Sequence, residues 1–282
     1  MISQIYPCLW FDGHAHNAAE HYCSVFSNAS VTSETAMATE FVVSGQRILC
    51  INGGPEFIPN PSVSFFVVCE TEQELDLLWD RLMQTGIARM PLARYDWSEK
   101  YGWLQDRYHI NWQLSLGKME NVGQKISPSL LFTGELNGKA EEAVQFYTSV
   151  FKNSSVREIL RYTAGKNETE GNIAHARFIL EKSMFMAMDS SLPHQFSFNE
   201  AISFIVECST QIEIDYYWEK LSAYPEAEQC GWLKDKFGIS WQIIPSILSK
   251  LMNDPEKSKN VVHAFMLMKK FNIEKLLEAA GS

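Results

Sequence analysis

The chain is short of positive charge. Lys and Arg number 24 against 34 Asp and Glu, a net charge of −10 over 282 residues. A basic face for phosphates or anionic headgroups is therefore not expected, and neither nucleic acid nor a membrane surface is an expected partner. Long apolar runs are lacking too, since none approaches the ~20 residues of a membrane span. Met1-Ile2-Ser3-Gln4 has neither the basic stretch nor the apolar core of a secretory leader, so none is expected. Cys8, Cys23, Cys50, Cys69, Cys208 and Cys230 include no Cys-x-x-Cys pair and sit mostly in apolar runs. They read as core thiols in a reducing compartment, which makes the cytoplasm the expected location.

What is present is a hydrophobic fraction of 46% with 21% charged residues, the balance of a globular protein long enough for two domains. Two segments are nearly the same: Gly102-Trp103-Leu104-Gln105-Asp106, running on to Ile110-Asn111-Trp112-Gln113, and Gly231-Trp232-Leu233-Lys234-Asp235, running on to Ile239-Ser240-Trp241-Gln242. Rare tryptophans in register mark a tandem repeat, and the second copy becomes a control for every candidate residue in the first.

Each copy opens with an apolar, strand-like run, Gln4 to Phe11 in the first. Ala15, Ala18, Ala19, Tyr22, Val25 and Phe26 then fall on one helical face, and Ala140, Ala143, Val144, Tyr147, Val150 and Phe151 repeat it. Three short β-rich runs follow in each copy, near 30–36, 39–43 and 47–51, then near 155–162, 174–180 and 183–188. A fuller strand comes next, 63–69 and 202–208. Thr71-x-x-Glu74 and Thr210-x-x-Glu213 are capping boxes that open a second helix, with Leu75, Leu78, Trp79 and Leu82 as its buried stripe. The class is α+β: two tandem units, each of two βαβββ modules forming a mixed sheet, over residues 1–118 and 125–245. A polar joint lies at 117–125. A helical tail over 246–282 begins at Asp254-Pro255, a cap with a first-turn proline. Its Met-rich stripe makes the tail helices the expected surface for a homodimer.

With those residues in hand, the chain resembles the PhnB-like, "3-demethylubiquinone-9 3-methyltransferase" family of the vicinal oxygen chelate superfamily, which holds glyoxalase I, extradiol dioxygenases and bleomycin-resistance proteins. The resemblance rests on Pro7-Cys8-Leu9-Trp10-Phe11-Asp12-Gly13, on Ala18-Ala19-Glu20-x-Tyr22-x-x-Val25-Phe26, and on Met90-Pro91-Leu92 followed by Trp97. The Gly-Trp-Leu-x-Asp closures and Ala264-Phe265-Met266-Leu267-Met268-Lys269-Lys270 complete it. It implies a glyoxalase fold in which paired modules curl into a cup around a small ligand.

The superfamily's divalent ion is expected on His and Glu of the first and fourth strands. Here those strands carry Tyr6 and Cys8, Ser127 and Ser129, Leu49 to Ile51, and Phe185 to Met188, none a good ligand set. No metal site and no cofactor is therefore assigned. His14, His16 and His21 have Lys139, Glu141 and Phe146 as counterparts and read as a solvated helix start. The family label implies methyl transfer, which needs a Gly-rich strand-to-helix loop for S-adenosylmethionine. The densest glycine cluster, Gly53-Gly54-Pro55, precedes no helical pattern.

Two sets of residues remain. His175, at the start of a strand, and Asp189, one strand later, read either as an acid–base pair or as a strand-end histidine bonded to a turn aspartate. Asn52 stands in the first copy where Asp189 stands in the second. The stretch from Leu82 to Trp103 is about twice as long as that from Leu221 to Trp232. In the family this segment is a loop over the cup mouth. Arg89 and Arg94 there are candidates to clamp an anionic ligand, with Trp10, Trp97 and Trp103 to stack on it. The repeated Asp106 and Asp235 read as turn residues. The expected activity is metal-independent binding of a small aromatic or anionic molecule. The alternative is a chelate-type lyase, isomerase or dioxygenase or, by label alone, a methyltransferase.

Overall fold

The computed structural model describes residues 5–165, 167–252, 254 and 256–281. The chain divides into one compact body over Tyr6–Ile202 and a second from Ser203 onward that also takes in Ile5.

The first body begins with β1 (Tyr6–Phe11), α1 (Ala15–Val25), β2 (Ala29–Glu34), β3 (Ala38–Val43) and β4 (Gln46–Asn52). β4 runs parallel to β1, and β3 and β2 follow antiparallel. The next module is β5 (Val63–Cys69), α2 (Glu72–Leu82), β6 (Ile87–Tyr95), β7 (Ser98–Gln105) and β8 (Asn111–Leu116). The joint between the copies carries the short α3 (Met119–Val122). β9 (Ile126–Thr133), α4 (Ala140–Val150), β10 (Ser155–Arg161), β11 (Ile173–Leu180) and β12 (Ser183–Ser190) then repeat the plan. The strands expected from the sequence are present, each within two residues at its ends. Of the opening run, Gln4 lies outside the described residues.

One eight-stranded sheet, in the order β10-β11-β12-β9-β5-β8-β7-β6, spans the repeat boundary. Its central pair is β5 antiparallel to β9, with Ser64 opposite Ser129 and Phe66 opposite Ser127. The second module of the first copy and the first module of the second thus share hydrogen bonds.

Helix α1 packs its alanine face and Tyr22 between the two sheets of this body. The Tyr22 ring lies 5.8 Å from Phe41 on β3 and 5.3 Å from Trp112 on β8. Thr71 Oγ1 accepts from the Glu74 amide to start α2, but Glu74 reaches back to the Glu70 amide instead of completing the box.

The segment expected as a loop over a cup mouth is a hairpin. β6 pairs with β7 from Ile87–Gln105 out to Tyr95–Ser98, with register shifts on both sides of Met90 and beyond Ala93. Pro91 is tolerated because β6 is an edge strand, where a missing N–H faces no neighbour.

The second body holds β13 (Ile202–Cys208), α5 (Gln211–Leu221), β14 (Trp232–Lys234) and β15 (Ser240–Pro245), where β15 lies between its two partners. The shortened stretch after α5 leaves a single 3-10 turn, Pro225–Ala227, where the first copy has β6. Thr210 and Glu213 form the complete capping box. The tail adds α6 (Leu248–Met252), α7 (Ser258–Met266) and α8 (Ile273–Ala279). Pro255 lies outside the described residues, and α7 opens three residues after it. The tail is tied to its own body: Met268 and Lys269 carbonyls accept from the Cys230 and Gly231 amides, and the Phe271 ring packs on Gly231.

The two closures share one device. Asp106 Oδ1 accepts from the amides of Tyr108 and Ile110, and Oδ2 from Trp112 Nε1 and the Tyr22 hydroxyl. Asp235 likewise accepts from the amides of Phe237 and Ile239 and from Trp241 Nε1. His109 and Gly238 occupy the same left-handed turn position, at φ 65° and 84°. The aspartates are turn residues, as the repetition implies.

Candidate functional site

The eight-stranded sheet has two unlike faces. On one, Phe65, Val67, Trp112 and Leu114 are buried toward α1 and α2. Strand alternation puts their neighbours on the reverse face. There a line of paired residues runs Arg177, Met186, Ser129, Ser64, Asn111, Gln105 across six strands. A second line runs Ser127, Phe66, Gln113, Trp103, Met90.

This reverse face is buried yet polar. Tyr101 donates to Gln113 Oε1 at 2.7 Å, and Gln113 Nε2 donates to Ser64 Oγ at 2.8 Å. Burial, with Tyr95 adding to it, pushes the Tyr101 phenol up, so it stays a donor. Gln242 and Ser203 repeat the second bond in the other body at 2.9 Å. Three buried polar atoms of the face have no hydrogen-bond partner: Trp103 Nε1, Asn111 Oδ1 and Ser127 Oγ. The amide of Asn111 is oriented by its Nδ2, which donates to the His109 carbonyl.

His175 belongs to this face. Ala176 lies opposite Ala187 on the helix-covered side, so His175 points the other way. Burial first, and Arg177 second, lower its pKa to about 4, against an opposing pull from Glu158. The imidazole is therefore neutral at neutral pH.

Asp189 does not join it. Asp189 shares the helix-covered side with Ala187. Its Oδ1 accepts from the Gly138 and Ala140 amides and its Oδ2 from the Ile173 amide. The carboxylate caps α4 and ties β11 to it, so the pair imagined from sequence is not formed. Asn52 does the same for α1, accepting from the Ala15 amide at 2.9 Å.

Trp10 stands with Asn52 in the four-stranded part of the body, away from the eight-stranded sheet. Its Nε1 donates to the Gly54 carbonyl at 2.8 Å, and its ring fills the space beside Gly53. Any Cβ at Gly53 would lie 2.1 Å from that ring, so the glycine serves the tryptophan's packing. The next helix after Gly54 is α2, with β5 between, and the S-adenosylmethionine cradle does not fit here.

Arg89, Arg94 and Trp97 all stand on the β6–β7 hairpin. Both arginines are exposed; Arg89 bonds Gln105 Oε1. Trp97 is 65% exposed and stacks on Tyr95, 4.9 Å between centroids. Trp103, on the same hairpin, faces the sheet's polar side. The hairpin from the first copy and His175 from the second thus share one sheet.

On this sheet the first and fourth strands of the two modules carry Ser64, Phe66, Ser127 and Ser129 on β5 and β9, and Asn111, Gln113, Met186 and Met188 on β8 and β12. Hydroxyl, amide and thioether groups do not make a divalent-ion site of the His–carboxylate type. Among the described residues no three His, Cys, Asp or Glu side chains converge.

Sequence reading missed Ser64, Tyr101, Asn111, Gln113 and Ser127. Their signal was there: serines spaced by two in otherwise apolar strands, and a glutamine repeated after each closing tryptophan.

The model of the 3-demethylubiquinone-9 3-methyltransferase family matches residues 3–115 and again 124–244. The PhnB protein from Bacillus cereus is 33% identical over 41% of this chain and 98% of its own, with a TM-score of 0.38. Protein PA1353 from Pseudomonas aeruginosa is 21% identical over 40% of this chain and 96% of its own, TM-score 0.36. Glyoxalase I from Zea mays is 8% identical over 89% of this chain and 96% of its own, TM-score 0.59, a likeness of fold alone. No curated protein matches the chain.

Proposed function

The chain belongs to the PhnB-like 3-demethylubiquinone-9 3-methyltransferase family, and from that premise we propose that it binds a small aromatic molecule on the polar face of the eight-stranded sheet. The observation that carries this reading is the trio of buried, unpartnered atoms, Trp103 Nε1, Asn111 Oδ1 and Ser127 Oγ. Leaving such a group unsatisfied costs roughly 1–3 kcal/mol, which a bound molecule returns. Trp103 supplies a stacking surface and a donor. The Tyr101–Gln113–Ser64 chain fixes the floor. Arg89, Arg94 and Trp97 form the hairpin rim.

The test is a thermal-shift screen of small aromatics against the wild type and Trp103→Phe. Compounds that raise the wild-type Tm and not the variant's support the reading. A screen in which every shift persists in Trp103→Phe counts against it.

A second reading, an enzyme of lyase, isomerase or dioxygenase type, draws on His175. Its imidazole is neutral, the form a general base needs, but burial makes it a weak base and Asp189 does not orient it. His175→Ala with binding kept and turnover lost would favour it. Methyl transfer has the family description as its only support.

Among the described residues no helix is long and apolar enough to cross a membrane. We propose a cytoplasmic location, which the free and buried thiols of Cys8, Cys50, Cys69 and Cys208 support. A homodimer would use the exposed Met266 and Leu267 of the tail.

A further inference from the structure

The charges around the polar face narrow what it can hold. Neither line of paired residues across its centre, Met186-Ser129-Ser64-Asn111-Gln105 and Ser127-Phe66-Gln113-Trp103-Met90, contains an ionised side chain. At one end of the first line stands Arg177, whose Nε and Nη2 both lie 2.9 Å from Glu158 Oε2, so that cation is already matched. Glu168 accepts from the Ser190 hydroxyl and the Ser191 amide at the end of β12. Arg89 is exposed and bonded to Gln105. His175 is uncharged at neutral pH. On these two central lines an ionised ligand would shed its hydration and meet no counter-charge, since the exposed Arg89 and Arg94 stand out on the hairpin rim.

The unpartnered atoms add direction. Indole Nε1 only donates, so it needs an acceptor. Asn111 Oδ1 only accepts, so it needs a donor. Ser127 Oγ serves as either. Resting on the binding reading above, we propose that this face takes an uncharged flat ring bearing both a hydrogen-bond acceptor and a donor, as an aromatic carboxamide or lactam does. Arg89 and Arg94 then act at the rim and do not clamp an anion.

The probes are three near-isosteric molecules: 2-naphthamide (neutral), 2-naphthoate (anionic) and 2-naphthamidine (cationic). Each is titrated at neutral pH into the full chain while the indole N–H resonance of Trp103, identified by its loss in Trp103→Phe, is followed by NMR. The expected result is that the amide moves this resonance at a concentration at least about 10-fold below that needed for either ion. Naphthoate or naphthamidine binding as tightly as the amide, with the Trp103 signal moving, overturns the neutral-ligand proposal and leaves the site standing. If none of the three moves Trp103, the binding reading and this proposal both fall. Asn111→Asp adds an independent check, since placing a carboxylate on the floor should move the preference toward the amidine by about 10-fold.

Discussion

The two faces of the eight-stranded sheet are equally buried at their centres but spend their polar groups differently. On the helix-covered face Asp106 collects four donors at once, from two backbone amides, an indole and a phenol. On the reverse face an indole, an amide oxygen and a hydroxyl are left without partners. Satisfied polar networks hold a fold together. Unsatisfied ones in the same sheet mark a surface kept for something else. The contrast teaches that burial alone does not separate core from site.

The sharpest way to break that comparison is Asp106→Ala. It strands Trp112 Nε1, the Tyr22 hydroxyl and two amides in the interior, and should cost roughly 3–5 kcal/mol in urea denaturation. A loss below about 1 kcal/mol would mean the helix-covered face is not held by its polar network.

Next in size is a pH effect on the reverse face. His175 has its pKa lowered to about 4, below its ordinary value. The unfolded chain therefore binds the extra proton first, and stability falls as pH drops from about 6.5 toward 4. By linkage the single group contributes up to about 3 kcal/mol over that window. His175→Gln should flatten this part of the stability–pH curve; an unchanged slope would place the imidazole in contact with solvent.

Asp189→Ala removes the acceptor of three amides and Asn52→Ala removes the acceptor of one. Losses of about 2 and about 1 kcal/mol are expected, in that order, because each acts as a helix cap. Equal losses, read by thermal melting, would show that the extra bonds of Asp189 carry nothing. The smallest effect belongs to Ser127→Ala. Deleting a hydroxyl that has no partner should change stability by less than about 0.5 kcal/mol, or raise it. A cost above 1 kcal/mol would reveal a hidden partner and remove one member of the trio.

Much of the fold was legible in the sequence because it is written twice. The register of Gly102-Trp103-Leu104 with Gly231-Trp232-Leu233 located the second module of each copy, the matched faces of Ala15–Phe26 and Ala140–Phe151 located the first, and Thr210-x-x-Glu213 located a helix start to the residue. Which modules share a sheet was not legible. β5 and β9 are both apolar runs with buried serines, and nothing in either names its neighbour. The site was legible in part. Trp103 stood out by its rarity, and the match of Asn52 to Asp189 was right as alignment. It concealed that both side chains cap helices, because backbone amides leave no trace in a sequence pattern. The arginines drew attention by their charge, while the serines and amides of the polar face passed as ordinary strand residues.

The antiparallel pairing of β5 with β9 has a consequence for synthesis. Once Leu116 has left the ribosome the first copy is fully translated, yet β5 still shows a bare edge. That edge closes only when β9, Ile126–Thr133, emerges. At ordinary elongation of about 5–20 residues per second the interval lasts on the order of a second or more. During it the nascent chain carries a template for intermolecular pairing. The polar joint is therefore a timer as well as a tether, and a gene split at the repeat boundary would release two fragments with exposed edges rather than two finished domains.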